Sequence, residues 1–493
     1  MEYVIGIDIG TSGLKSIIVS GDGEVVKSDK VKYDTIHEKT GYSEMNPEDW
    51  YEAAVGSLKR LLESEYGSKV TGISFSGQMH GLVIIDKNGE VIRPAILWND
   101  TRTSEECKEI IADIGLDNLL GQVQNTVLEG FTLSKLMWVK KNEPENFKSI
   151  DKFMMPKDYV IYRLTGNVFA EPSDAAGTVM FDVKKGEWSS ILLDQLGIEQ
   201  NICPEVIPSH GKSGVLNKAL FDVEQDISIY QGGADNACGA LGAGITDSTR
   251  QLVSIGTSGV VLSSEEEDDY MNDGSVHYFN HCVSGQNYVM GVTLSAGYSL
   301  QWLKKMLGDD QTFGEFMQEA ETSPLGAKGL LYTPFLLGER TPYNDAEIRG
   351  SFIGLDANTN AADMKRAVIE GITFSLNESI EIMRKNGKNI SRIVSIGGGA
   401  GNRQWLQMQA DIFDAEIMTR TEEQGPAFGA AMIAAVGEQW FEDFSVVTEE
   451  WIDYKETFSP ITENKVQYKK LFELYREVYE KTQGLTSKLL EFK

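Results

Sequence analysis

The sequence predicts an α/β protein of two domains, each presenting a sheet-and-turn unit to a central cleft. Three observations carry that prediction. The chain has 493 residues, too many for one ordinary core. The pentapeptide Ile-Gly-Thr-Ser-Gly ends a strand-like run twice, at Ile9–Gly13 and at Ile255–Gly259. A third glycine-rich turn, Gly397–Asn402, lies between an apolar strand and a helix. The recurrence places the boundary near residues 245–250, giving halves 1–247 and 248–493.

Tyr3–Ile9 reads as a strand, with Lys15–Val19 as its neighbour and Gly21-Asp22-Gly23 as a hairpin turn. Asn46-Pro47-Glu48-Asp49 supplies a cap, a first-turn proline and acids, so a helix is expected to about Tyr66. Strands follow at Val70–Ser76, Leu82–Asp86 and Ala95–Trp98. The next 130 or so residues mix helices with polar loops, which suggests an inserted cover. Ile227–Tyr230 then runs into the turn Gly232–Asn236, a helix of small residues and the second pentapeptide. In the later half, Met364, Val368, Ile372, Leu376 and Ile380 form a core-facing helical stripe. A last amphipathic helix, Glu463–Lys493, is expected to pack back across the other half.

Composition narrows the partners. Asp and Glu number 74 against 45 Lys and Arg, a net charge of −29, so nucleic acid and anionic membrane surfaces are not expected. A phosphate ligand would need backbone N–H groups, a helix N-terminus, a lysine or a divalent cation. Cys107, Cys203, Cys238 and Cys282 are too scattered for a disulfide framework and read as buried thiols. With no apolar run of membrane-spanning length and no signal-peptide pattern, a cytoplasmic location is expected.

The repeated turn has glycines at both ends and two hydroxyls between, exposing N–H donors without side-chain obstruction. Plain hairpin glycines are the bland alternative. Asp8 before the first turn and Lys15 after it would bring a carboxylate, Thr11, Ser12 and a cation to one metal–phosphate group, with Asp8 reaching Mg²⁺ through water. Gly256 and Thr257 would grip the same polyphosphate from the other half. Rival phosphate motifs fail: His210-Gly211-Lys212-Ser213 has Val206 where a Walker loop needs glycine, and no GxGxxG opens a helix after a strand.

Five stretches spread along the chain carry a resemblance. They are Gly6–Lys15, Gly130–Val139, Gly338–Pro342, Gly350–Glu370 and the Gly397–Asn402 turn. Together they resemble the FGGY family of carbohydrate kinases, within the superfamily of sugar kinases, hexokinase, actin and the Hsp70 ATPase. The resemblance implies two actin-like (ribonuclease H-like) domains around the cleft, with ATP and Mg²⁺. Ser76–Gly81 and Ile96–Arg102 are similar to members acting on xylulose. Members acting on glycerol have an Arg-Glu pair where Met79 and His80 stand, and members acting on gluconate share the Met-His pair. D-xylulose is therefore the expected substrate and gluconate the alternative, with a homodimer left open.

The resemblance implies Asp235 as general base, and Asn236 would bond a neighbouring hydroxyl; a helix N-cap is the bland reading of Asp235. Gln78, Met79, His80 and Trp98 would line the sugar, the imidazole donating to a hydroxyl and the indole forming an apolar wall. Simple core roles for Met79, His80 and Trp98 are the alternative. Gly297, Gln301, Gly399 and Asn402 are similar to the family's adenosine contacts. An actin- or Hsp70-like ATPase switch would share the clamp but not need the sugar residues. His277 and His281, four apart beside Cys282, lie on a strand-like run that gives no metal geometry. The acidic run Glu265–Asp269 reads as a solvated loop.

Overall fold

The computed structural model describes residues 2–266, 272–308, 310–421 and 424–492. Two sheets dominate. The first comprises β1 (Tyr3–Ile9), β2 (Gly13–Ser20), β3 (Val25–Lys32), β4 (Val70–Gly77), β5 (Lys212–Val215) and β6 (Ser228–Ala234), in the order β5-β6-β4-β1-β2-β3. The second comprises β7 (Gln251–Ile255), β8 (Gly259–Glu265), β9 (His277–Asn280), β10 (Asn287–Thr293), β11 (Arg392–Gly397), β12 (Glu416–Arg420) and β13 (Tyr454–Phe458), in the order β9-β10-β8-β7-β11-β12-β13. In each, a hairpin's first strand also pairs in parallel with a later strand, β1 with β4 and β7 with β11. The duplicated plan expected from the pentapeptide is thus present.

The helices that matter for the site are α1 (Pro47–Leu62), α2 (Thr132–Asn142), α3 (Pro156–Thr165), α4 (Pro172–Gly177), α5 (Asp235–Gly242), α6 (Gly297–Met306), α7 (Ala361–Lys385), α8 (Arg403–Phe413), α9 (Pro426–Gly437) and α10 (Thr462–Leu489). Asn46 caps α1 by accepting the Glu48 N–H, and Pro47 occupies its first turn. On α7, Val368, Ile372, Leu376 and Ile380 are buried, as their spacing requires. From Ala427 to Val436 every residue of α9 is buried, the signature of a helix packed on all sides. Although late in the chain, α9 lies on β1 and β4 of the first sheet. Contact is backbone to backbone: a Cβ on Gly6 would sit 1.9 Å from the Ala427 carbonyl oxygen. Helix α9 also packs on α5, so the small-residue pair α5–α9 joins the halves.

Three expectations change. β6 does not stop at Tyr230 but continues to Ala234, across a shift in its register with β4 and through Gly232 at φ 77°. Helix α10 packs on α7 in its own half, where Tyr468 meets Phe374 edge to face and Phe472 lies tilted against it. Glu265 is buried at the end of β8 and paired with Lys388, while Glu266 accepts the Ser248 N–H; residues 267–269 lie outside the described residues. All four cysteines are buried and unpaired. Among the described residues no helix is long and apolar enough to cross a membrane.

Candidate active site

The carboxyl ends of β1, β4 and β6 form the floor of the cleft. β1 and β4 pair in parallel with Asp8 opposite Ser76, and β6 pairs with β4 so that Gly233 lies opposite Ser76 and Ala234 opposite Gly77. This register places Asp8 and Asp235 on either side of β4, where parallel sheets commonly hold ligands. Burial and the neighbouring Asp8 charge push the Asp235 carboxyl up to about 7, against the Asn236 N–H that donates to it at 2.7 Å. Asp8 rises to about 6 through burial, opposed by the Ser76 hydroxyl at 3.1 Å and the Lys15 charge. Two acids in one another's field suit a cation between them. Among the described residues no cage of three or more metal-binding side chains exists, but a hydrated Mg²⁺ carried by phosphate oxygens needs only one or two carboxylates.

The first turn is braced toward the sugar side. Thr11 Oγ1 donates to Gln78 Oε1 at 3.3 Å and accepts the Trp98 indole N–H at 2.8 Å, while Gln78 Nε2 donates to the Gly10 carbonyl. Gln78, expected among the sugar contacts, spends its amide on this brace. Trp98 is 42% exposed, so it is no core residue. Lys15, expected at the phosphate, donates from Nζ to the Gln424 carbonyl at 2.6 Å, just before α9. Ser12 is exposed at the turn's tip.

His80 sits at φ 68°, a left-handed conformation costly for a residue with a Cβ, and its surroundings hold it there. On α2, Thr132 Oγ1 and the buried Lys135 Nζ donate to the His80 carbonyl at 3.1 and 2.8 Å. Lys135 also reaches the Gly130 carbonyl at 2.7 Å, and burial drives its pKa well below the ordinary range. The ring is fixed too. His80 Nδ1 lies 2.6 Å from the Gly177 carbonyl, an acceptor, so Nδ1 carries the proton. Burial holds the ring neutral, with a pKa lowered to about 3. Nε2 is therefore an acceptor, and the donor role expected from sequence is corrected. Gly177 packs closely here: a Cβ would lie 2.9 Å from Met79 Cε and 3.1 Å from His80 Nδ1, so the Met79 tip and the His80 ring would have to shift. Met79 is 3% exposed, and its sulfur accepts the Asn236 amide at 3.5 Å, which joins the two sugar-side loops.

In the second half, Gly256, Thr257, Gly297, Gln301 and Gly399 line one cavity of about 500 Å³, as the sequence brought them together. Phe313, Phe316 and Trp405 add aromatic walls that sequence reading missed, since nothing in their spacing separates a pocket face from a core face. Asn402 is placed differently. Its Oδ1 caps α8, accepting the Gln404 and Trp405 N–H groups at 2.9 and 2.8 Å. Gly297 permits the closest approach in this pocket: a Cβ would sit 2.4 Å from the Gly256 carbonyl oxygen.

A carboxylate pair at the ends of parallel strands, a neutral imidazole next in sequence to the Met79 that Asn236 contacts, and a half-open cavity with aromatic walls in the second half are compatible with a phosphoryl-transfer site. The family comparison agrees. Residues 3–242 match the N-terminal domain of the FGGY family of carbohydrate kinases, and residues 252–438 match its C-terminal domain. The chain belongs to the FGGY family. The xylulose kinase of Staphylococcus xylosus is 62% identical over 97% of this chain and 100% of that protein. The ligand-bound xylulose kinase structure from Lactobacillus acidophilus aligns with a TM-score of 0.94 at 27% identity, over 99% of this chain and 100% of that one. A gluconate kinase structure from Lactobacillus acidophilus aligns with the same TM-score and identity over 100% of both chains, so shape alone does not choose the sugar.

Within this FGGY kinase, the inserted cover also holds a buried charge cluster that sequence reading missed. Lys157 on α3 is fully buried and pairs with Asp158 at 2.6 Å and Asp174 at 3.1 Å. It packs directly under β4, where a Cβ on Gly77 would touch its side chain. Its sequence signal is a Lys-Asp pair within an otherwise apolar helix start.

Proposed function

We propose that this kinase transfers the γ-phosphoryl group of Mg–ATP to O5 of D-xylulose, giving D-xylulose 5-phosphate. The observation that carries the reading is Asp235, a carboxylate raised to about 7 on the cleft floor, with Asn236 next to it joined to Met79 and so to His80, whose neutral ring can accept a sugar hydroxyl. A sugar hydroxyl is a weak nucleophile. Asp235 orients it and takes its proton as the new oxygen–phosphorus bond forms and the bond to the ADP oxygen breaks. Asn236 and Met79 keep the base loop and the sugar loop in register. The N–H groups of the two turns cradle the phosphates, and the cavity at Gly297 and Gln301 takes the adenosine. Magnesium bound with the nucleotide would offset charge on the phosphate oxygens, with Asp8 holding it through water.

The choice of sugar rests on the 62% identity with the Staphylococcus xylosus xylulose kinase. Gluconate is the alternative kept by the shared Met-His pair. The four buried thiols support a cytoplasmic setting. A coupled ADP-release assay with D-xylulose, gluconate and glycerol tests the reading. D-xylulose is expected to give the highest kcat/KM, and gluconate ahead of it by about tenfold, 1.4 kcal/mol of transition-state binding, would overturn the sugar assignment.

A further inference from the structure

We propose that Ser173 is a positioning residue for the catalytic base. The inference rests on the reading of Asp235 as that base. Helix α4 belongs to the inserted cover, yet both of its ends touch the site. At its end the Gly177 carbonyl fixes the His80 ring. At its start the Glu171 carboxylate accepts the N–H groups of Ser173 and Asp174 at 2.8 and 2.7 Å, and the Ser209 hydroxyl at 3.0 Å. Ser173 Oγ lies 2.8 Å from both Glu171 oxygens. A hydroxyl has one proton, and Glu171, an acceptor, takes it. Oγ is left with its lone pairs, and one of them accepts the Ala234 N–H at 2.9 Å.

That N–H has a particular need. β5 pairs with β6 only through Ser228, Ile229 and Tyr230, so beyond Tyr230 the outer edge of β6 has lost its neighbour strand. The cover replaces that strand piece by piece: the Ser209 carbonyl takes the Gly232 N–H at 2.9 Å, and Ser173 takes that of Ala234. Ala234 is the residue directly before Asp235, at the point where strand turns into helix α5. Ser173, Glu171 and Ala234 are all fully buried, so no water stands in for the serine. On its outer edge the peptide leading into the base is therefore held by one hydroxyl whose direction a buried carboxylate sets.

Ser173→Ala deletes the acceptor and leaves the Ala234 N–H orphaned. A base displaced by a fraction of an ångström loses alignment with its substrate, and kcat is expected to fall about 10- to 100-fold. The ATP affinity, measured by calorimetry with a non-hydrolysable analogue, should stay as it is, because the adenosine cavity lies in the other half. Ser173→Thr keeps the oxygen and should recover most of kcat. The proposal is overturned if Ser173→Ala retains kcat, if it weakens ATP binding as much as turnover, or if the threonine variant is as impaired as the alanine one. Asp235→Asn, run alongside, separates the two readings. An active Asp235→Asn enzyme removes the base itself, whereas an inactive one beside an unaffected Ser173→Ala removes only the positioning role.

Discussion

Ile9–Gly13 and Ile255–Gly259 are the same five letters in two sheets, and they fold differently. In the first copy Ile9 pairs with Leu14, so residues 10–13 make the turn, closed by the Gly10 N–H on the Gly13 carbonyl at 3.1 Å. In the second Ile255 pairs with Gly259, so residues 256–258 make it, closed on the Ser258 carbonyl at 2.9 Å. The neighbours decide. Gly13 runs against the Val31 carbonyl of β3, whereas Gly259 faces Leu376 and Ala296. The contacts of the two turns divide along the same line. The first turn follows Asp8 and is tied by Thr11 to Gln78 and Trp98 on the sugar side. The second is tied to α6, its Gly256 and Thr257 carbonyls accepting the Gly297 and Tyr298 N–H groups at 2.9 and 3.1 Å. On the proposed function both turns cradle phosphate, and their neighbours set the first toward the reacting end and the second toward the adenosine end.

The hardest break of that division is at the base beside the first turn. Asp235→Asn keeps the shape and removes proton acceptance, so kcat should fall by about 10²–10⁴-fold with ATP binding retained. Turnover near the native rate would refute the assignment. The variant should also melt no lower than the native enzyme at pH 8. An acid whose folded pKa is raised to about 7 costs stability as pH climbs through the range from its ordinary value to 7, and the amide is free of that cost.

The same carboxylate gives a pH signature. General-base action needs Asp235 ionised, and its pKa is raised to about 7, so kcat/KM should be level above pH 7 and decline below it. With one proton controlling the limb, the loss approaches about tenfold per unit of pH. A profile flat from pH 5 to 8, an interval of about three units spanning that titration, would place the base elsewhere.

Breaking the other cradle should hurt one substrate only. Gly297→Ala puts a Cβ 2.4 Å from the Gly256 carbonyl oxygen and must push α6 away from the second turn. KM for ATP is expected to rise about tenfold, the worth of one or two lost contacts, while KM for the sugar holds. Equal rises in both would mean that the second turn is not reserved for nucleotide.

Much of the fold around the two turns was legible in the sequence because it is local. Glycine turns after β-branched runs announce hairpins, and the repeat announced two of them. What was not legible depends on pairs far apart in the chain. The tautomer of His80 is set by Gly177, the commitment of Gln78 by Gly10, and the diversion of Lys15 by Gln424. The cover read as helices mixed with polar loops, yet α2 holds the His80 carbonyl and α4 holds the His80 ring and the Ala234 N–H. Gly130–Val139 carried part of the family resemblance, but nothing in its letters shows that Lys135 would donate to the His80 and Gly130 carbonyls. Asn402 shows a further use that its residue type alone does not reveal: its oxygen caps α8.

The finest test compares the two threonines. Thr257 stands exposed at the mouth of the proposed nucleotide cavity, its carbonyl bonded to the Tyr298 N–H, so Thr257→Val should raise KM for ATP a few-fold, about 1 kcal/mol, and leave the sugar untouched. Thr11→Val removes the partner of both Gln78 and the Trp98 indole, so its effect of about the same size should appear in the KM of both substrates. Trp98→Phe, which deletes only the indole donor, should reproduce the sugar part of that effect and not the ATP part. If the two threonine variants behave alike, the turns are as interchangeable as their letters, and the division between sugar and nucleotide must arise from the walls of the cleft instead.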